Sequence, residues 1–511
     1  MSGPMRVLSG GGGLLHGSSA SRTIEADAQA VHAPHALMQR AGSAVARLAL
    51  ALVPHLRHCL LLAGPGNNGG DALVAATVLK QSGVSVQLVL LAGDKPAPVD
   101  AAWALQLAHQ AGVPIQPALT EPAANTDLLI DGLLGLGTGR ALQGALLEAA
   151  RLSHRFPAPV LAIDLPSGLH PDTGQAPGDI VRASHTLSLL TLKPSLFTAS
   201  GRDAAGEIWF DDLGVTADAG SACAELSGHT MAQTLPARKL HAGHKGSFGD
   251  VVVVGGAPGM EGAAALAAHA ALAAGAGRVY LNVLGNDAFQ PPRAELMRRQ
   301  GWWLQRPEEL GAALLVCGCG GGDAVAATLP ALLAHTRRAV FDADALNAIA
   351  ADPSLQQRLR ARAAHGAHTV LTPHPLEAAR LLACTTAEVQ ANRLEAAQQL
   401  ADRLQCVVVL KGSGSVVAAP SERPYLNASG NARLATPGSG DVLAGWIGGA
   451  WAAAGATDRR ALQRLSAACC WLHGRAAETG TGRSAAAGTG PLLAADLIEA
   501  MADASQAAPA A

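Results

Sequence analysis

The sequence predicts an α/β protein of two domains, each a mostly parallel sheet covered by helices on both faces. Three observations predict it. At 511 residues the chain exceeds what one ordinary hydrophobic core spans. Short apolar runs alternate with helical stretches in both halves, the pattern of βα repeats. Glycine-rich and polar clusters follow those runs, at the strand ends where such sheets bind ligands. Regular pattern fades between Asp211 and Leu235, which places domains at 1–215 and 231–503, a linker at 216–230 and a disordered tail at 504–511.

Composition narrows the function classes. Apolar residues at 49% and charged residues at 15% describe a well-buried globular chain. A net charge of −2 leaves no basic surplus to neutralise phosphates, so no nucleic-acid partner is expected. The most apolar long stretch, Gly262 to Leu284, is broken by His269, Gly275, Gly277, Arg278 and Asn282, so no membrane partner is expected either. The N-terminal MSGPMRVLSGGGG has no secretion-signal pattern, and Met5 is an alternative start. The eight cysteines include the pairs Cys317/Cys319 and Cys469/Cys470, without zinc-site spacing; buried thiols and a cytoplasmic location are expected.

In the first half, Ser21 to Leu52 reads as two helices with Leu37, Met38 and Ala41 on an apolar face. The strand His58–Ala63 runs into Gly64-Pro65-Gly66-Asn67-Asn68-Gly69-Gly70-Asp71, then a helix from Ala72 to Gln81. Strand, glycine-rich turn and helix form a phosphate cradle. The paired Asn suit a hard monovalent cation, ribose hydroxyls or simply a tight turn. Strands at Val86–Leu91, Asp127–Asp131, Val160–Asp164 and Thr186–Thr191 follow. Two end in Asp: Asp131 before Gly132 to Arg140, and Asp164 before Leu165-Pro166-Ser167-Gly168. Both are read as facing one ligand, with Lys193 either a cation at the same edge or a surface residue.

The second half opens with His244 to Gly249 and the strand Val251 to Gly256. Later strands lead into Gly318-Cys319-Gly320, Ala343-Asp344-Ala345-Leu346-Asn347, Thr372-Pro373-His374-Pro375-Leu376-Glu377 and Lys411-Gly412-Ser413-Gly414-Ser415. Thr436-Pro437-Gly438-Ser439-Gly440-Asp441 then enters an apolar helix, Val442 to Ala453. That stretch reads equally as a capped buried helix or as an anion site with a carboxylate base.

Taken together, these motifs resemble the bifunctional NAD(P)H-hydrate repair enzymes, an epimerase fused to a dehydratase, from about Arg22 to Asp496. The resemblance implies a Rossmann-like α/β/α epimerase fold followed by a ribokinase-like α/β/α fold. In the first, it implies substrate contacts at Asn67, Asn68, Gly69, Gly70, Asp71 and the loop Gly135, Leu136, Gly137, Thr138, Gly139, Arg140, Ala141. Asp164 becomes the acid/base group, and Asn68, Asp131 and Ser167 hold potassium. In the second, Asp441 becomes the base that deprotonates the hydrate's hydroxyl. Lys411, Gly412, Ser413, Gly414, Ser415 and Gly440 form the nucleotide site, and Ala263, Gly320, His374 and Asp441 contact the hydrate. ADP with magnesium is the implied co-substrate, NADH or NADPH hydrate the substrate, and a homo-oligomer the assembly. The chain departs from the family pattern at Ala72, Cys319, Gly321 and Pro437, the last removing a backbone N–H near the anion site. Two other readings compete: a ribokinase-type small-alcohol or vitamin kinase, and a first half that is a non-catalytic binding module.

Overall fold

The computed structural model describes residues 3–8, 11–91, 96–137, 139–235, 241–285, 288–304, 306–456, 458–479 and 490–506. The chain divides into two compact units, one formed by Met1–Leu8 and Gly13–Ala224, the other by Ser9–Gly12 and Glu225–Ala511.

The strands of the first unit's sheet are β1 (Met5–Arg6), β2 (His58–Ala63), β3 (Ser85–Leu90), β4 (Ile115–Gln116), β5 (Leu128–Gly132), β6 (Val160–Ile163), β7 (His185–Leu189) and β8 (Glu207–Asp211), in the order β1-β8-β7-β6-β5-β2-β3-β4. All neighbours are parallel except β1 and β8. In β2, Leu61 and Ala63 join one apolar cluster and Leu60 and Leu62 the other, which is why the strand is a continuous apolar run and not an alternation. From β2 the chain steps outward to β3 and β4, then returns to place β5 on β2's other side. The order reverses between β2 and β5, and ligands bind at the carboxyl ends of such strands.

The helices Ser18–Val31 and Ala36–Leu52 appear as expected, with Leu37, Met38 and Ala41 buried. The next helix differs. It begins at Asn67, not Ala72, and runs to Gln81. Gly69 and Gly70 look like turn residues but are there for closeness. A β-carbon at 69 would lie 1.9 Å from the Gly64 carbonyl oxygen, and one at 70 would lie 2.5 Å from Met38 Cε. Packing overrides their low helix propensity.

In the second unit the strands are β9 (Ala224–Leu226), β10 (Asp250–Gly255), β11 (Arg278–Val283), β12 (Met297–Arg298), β13 (Leu314–Cys317), β14 (Arg338–Phe341), β15 (His368–Leu371), β16 (Val407–Leu410), β17 (Ser415–Ala418) and β18 (Tyr425–Asn427). They are ordered β12-β11-β10-β13-β14-β15-β16-β17-β18-β9. The sheet is parallel from β12 to β16, and β17 is antiparallel to both its neighbours. Again the order reverses beside the central strand, between β10 and β13.

The helix Ser439–Ala454 is buried from Val442 to Ala452. It crosses Glu261–Ala273 at backbone contact: β-carbons at Gly445 and Gly449 would lie 2.1 Å from the carbonyl oxygens of Ala267 and Ala271.

Two expectations change at the edges. The stretch 216–230, expected as a linker, contains β9, whose Leu226 pairs with Leu426; three residues are too few to show a period. The tail expected from 504 begins later, because the helix Ala494–Gln506 continues with Ala504 packed on the core; residues 507–511 lie outside the described residues. Cys59, Cys317, Cys319, Cys406, Cys469 and Cys470 are buried thiols, Cys223 is exposed and Cys384 half-buried.

Candidate active sites

In the first unit a cavity of about 350 Å³ opens at the reversal between β2 and β5. Asn67, Asn68, Asp71, Gly135, Leu136, Gly137 and Asp164 line it, so the structure brings these expected residues together. Gly69 and Gly70 lie behind the wall as packing residues, Gly139 abuts His170, and Arg140 and Ala141 are exposed. Thr138 lies outside the described residues.

Asp164 follows β6 in a left-handed backbone conformation, φ 65°, which Asp tolerates better than most residues. Its Oδ1 accepts the Leu189 N–H at 3.2 Å and an ammonium proton from Lys193. Lys193 is 1% exposed and also donates to the Leu189 carbonyl at 2.7 Å, so it is a buried partner and not a surface lysine.

Asp131 is wholly buried. Ser167 donates to it twice, Oγ to Oδ1 at 2.7 Å and N–H to Oδ2 at 2.9 Å, and Leu133 N–H donates to Oδ1 at 3.1 Å. Burial nonetheless pushes its carboxyl up to about 6. Asn67 Oδ1 and Asn68 Nδ2 are buried without a hydrogen-bond partner among the described residues. Burial, then the charges of Glu25, Asp164 and Asp100, hold the Asp71 carboxyl well above the usual range. Glu25 and Asp100 line the cavity and were missed in the sequence, since nothing local sets them apart from surface helix acids.

In the second unit Asp441 lies in the first turn of Ser439–Ala454. Burial, then the nearby Asp342 charge, raise its carboxyl to about 6, while a hydrogen bond from the Cys319 thiol pulls it down. Atoms of Cys319, Asp342 and Asp441 lie within 4.8 Å of one another. Lys411 Nζ donates to Asp342 Oδ1 at 2.6 Å, and Thr372 Oγ1 donates to the same oxygen at 2.8 Å. Burial disfavours the Lys411 ammonium, but Asp342 and Glu377 outweigh it and the net shift is upward. A β-carbon at Gly440 would lie 3.3 Å from Lys411 Nζ, so this glycine admits the lysine to the helix start.

Pro437 now has a reason. The Ser439 N–H reaches the Thr436 carbonyl at 3.3 Å, and Gly438 has φ 89°, ψ −12°. That is a type II turn, with Pro favoured second and glycine third, and Pro437 is exposed within it.

His374 caps the helix Pro375–Leu382: its Nδ1 accepts the N–H groups of Leu376 and Glu377, and its own N–H donates to Glu377 Oε2 at 2.8 Å. Lys411 N–H bonds the Pro373 carbonyl at 2.8 Å, which seats the lysine loop beside this cap. Burial raises Glu377 to about 7. Ala263 and Gly320 adjoin each other, 2.9 Å apart if 320 carried a β-carbon. Ser415 belongs to β17, not to the loop. Arg393 was missed: its guanidinium lies under the loop and donates to the carbonyls of Leu410, Lys411 and Gly414.

Two α/β units, each with a carboxylate–lysine pair at the carboxyl edge of its sheet, have the form of a two-site α/β enzyme. Residues 34–195 match the family described as YjeF-related protein N-terminus, and residues 251–500 match NAD(P)H-hydrate dehydratase. The chain is 36% identical to the bifunctional NAD(P)H-hydrate repair enzyme Nnr of Escherichia coli (strain K12), over 90% of this chain and 88% of that one. It is 34% identical to the enzyme of the same name from Vibrio cholerae, over 90% and 92%. A crystal structure of the ADP/ATP-dependent NAD(P)H-hydrate dehydratase from Bacillus subtilis, co-crystallized with ATP/Mg2+, is 26% identical, with a TM-score of 0.46, covering 56% of this chain and 98% of that one. The chain belongs to the bifunctional NAD(P)H-hydrate repair enzyme family.

Proposed function

We propose that the first unit interconverts the R and S hydrates of NADH and NADPH and that the second dehydrates the S form at the expense of ADP. The observation that carries this is the paired design: Asp164 with Lys193 in one unit, Asp342 with Lys411 beside Asp441 in the other.

In the first unit, exchange at the carbon bearing the hydroxyl needs proton traffic at that oxygen. Asp164 takes and returns the proton, and Lys193 keeps its carboxylate in place. Asn68, Asp131 and Ser167 offer only oxygen ligands once the Asn68 amide turns its carbonyl outward. Among the described residues the Asn68 Nδ2 has no partner, so no hydrogen bond of that nitrogen opposes the turn, and the three oxygens would then suit a hard cation such as potassium. Such an ion would supply fixed positive charge near the hydrate.

In the second unit, Asp441 accepts the hydroxyl proton, and the freed oxygen attacks the terminal phosphorus of the nucleotide, which leaves as AMP. Phosphate then departs with its bonding electrons, and a proton lost from the neighbouring carbon restores the double bond. Phosphorylation thus converts a poor leaving group into a good one. Lys411 and the N-terminus of Ser439–Ala454 hold the transferring phosphate. The Asp342 carboxylate is suited to magnesium, which would supply charge neutralisation when bound and leave Asp441 free as the base; the Cys319 thiol does not suit that ion. His374, Gly320 and Ala263 are proposed to border the hydrate.

The test uses purified protein with mixed R and S hydrates, magnesium, and either ADP or ATP, following recovery of reduced-nicotinamide absorbance. Complete recovery of both epimers is expected with ADP. Recovery that stops at the S fraction removes the epimerase, and no recovery with either nucleotide removes the dehydratase.

A further inference from the structure

A second cavity, again about 350 Å³, adjoins the first and shares Gln29, Leu37, Asn67, Pro98 and Asp100 with it. Its outer wall is the turn Ala33-Pro34-His35-Ala36 together with Val99. The groups needed for chemistry, Asp164, Lys193 and Asn68, line the first cavity and not this one. We propose that this second cavity is the subsite for the purine nucleoside half of the dinucleotide, with the His35 ring as its stacking surface.

Four features support that assignment, which rests on the epimerase reading of the unit. The His35 ring is held flat: it stacks on Trp103 at 4.6 Å and 6°, and its Nδ1 lies 2.6 Å from Asp100 Oδ1. Trp103 covers one face of the ring, and of the two residues only His35 lines the cavity. Asn67, first residue of the helix Asn67–Gln81, lies on the wall common to both cavities and carries a buried Oδ1 without a partner among the described residues. The backbone N–H groups at the positive end of this 15-residue helix suit the diphosphate that links two nucleosides, while the Asn67 oxygen suits a donor such as a ribose hydroxyl. Finally, Gln29 Nε2 donates to Asp100 Oδ2 at 3.5 Å on the shared wall, and the second N–H of that amide and the remaining carboxylate lone pairs are left to read a purine edge.

The experiment compares R/S exchange of the NADH hydrate with that of the hydrate of reduced nicotinamide mononucleotide, which lacks the purine half. Full-length protein is used without added ADP. Wild type should prefer the dinucleotide through a lower KM. In H35A that preference should fall roughly tenfold, the scale of one lost base stack. H35F, which retains a stacking ring, should keep most of it. H35Q, polar but ringless, should behave as H35A does, so a folding defect of one variant leaves the comparison intact. Equal changes for both substrates, or a preference untouched by H35A and H35Q, overturn the subsite. If wild type exchanges neither hydrate, the epimerase reading itself fails and takes the subsite with it.

Discussion

Arg393 donates from Nη2 to the backbone carbonyl of Lys411 at 3.1 Å, and so fixes the loop from which Lys411 reaches Asp342. The same nitrogen serves Leu410 and Gly414, and the side chain is 2% exposed. Burial lowers its guanidinium to about 10. Arg393→Met strips these carbonyls of their donor, which should cost about 2–4 kcal/mol of stability in denaturant melts. The nucleotide KM for dehydration should rise at least roughly tenfold while R/S exchange is kept. An unaltered nucleotide KM would show that the loop holds its shape without the arginine.

Asp441→Asn keeps the shape of the side chain and removes the base. Dehydration should drop by roughly 10²–10⁴-fold with epimerisation intact. Since the wild-type carboxyl sits at about 6, kcat/KM for dehydration should climb as pH rises through that value and level off above it. Joint loss of both activities in the variant would contradict two independent sites.

The same carboxyl has a stability signature. Its proton is bound more tightly in the folded protein, at about 6, than at the ordinary 3.8. The stability it contributes is therefore fully present below the unfolded value and is lost as pH rises through the folded one. Asp441→Asn should accordingly raise stability by about 3 kcal/mol at pH 7.5, a Tm gain of several degrees, and do nothing near pH 3.5. Calorimetry at the two pH values checks the sign; an equal gain at both would mean that proton binding is not the cause.

Lys193→Met leaves the Asp164 carboxylate buried beside no cation. A loss of about 3–5 kcal/mol is expected, together with loss of R/S exchange. The double variant Lys193→Met/Asp164→Leu should recover most of that stability and none of the activity. A double variant as unstable as the single one would mean that packing, not the stranded charge, sets the cost.

Strand ends were readable because both sheets are covered on two faces, so that runs such as HCLLLA and VVVV stand out against their flanks. Asp131 and Asp164 were readable because each closes an apolar run ahead of a glycine-bearing turn, and Asp441 because it follows glycine and opens an apolar helix. The helix start at Asn67 was not: Gly69 and Gly70 signal a turn until Gly64 and Met38 are known to press on them. Short elements such as β4, β9 and β18 carry too few residues to show a period. Long-range partnerships were equally invisible. Nothing near Arg393 announces that it serves carbonyls 17 to 21 residues away, nor near Cys319 that its thiol meets Asp441.

The thiols sunk in the two cores act as clocks. An alkylating reagent reaches Cys223 at once, but it must wait for the first unit to open before meeting Cys59, and for the second before meeting Cys317, Cys406 or Cys469. Labelling read peptide by peptide would time the breathing of each unit separately in one native chain, without an added probe.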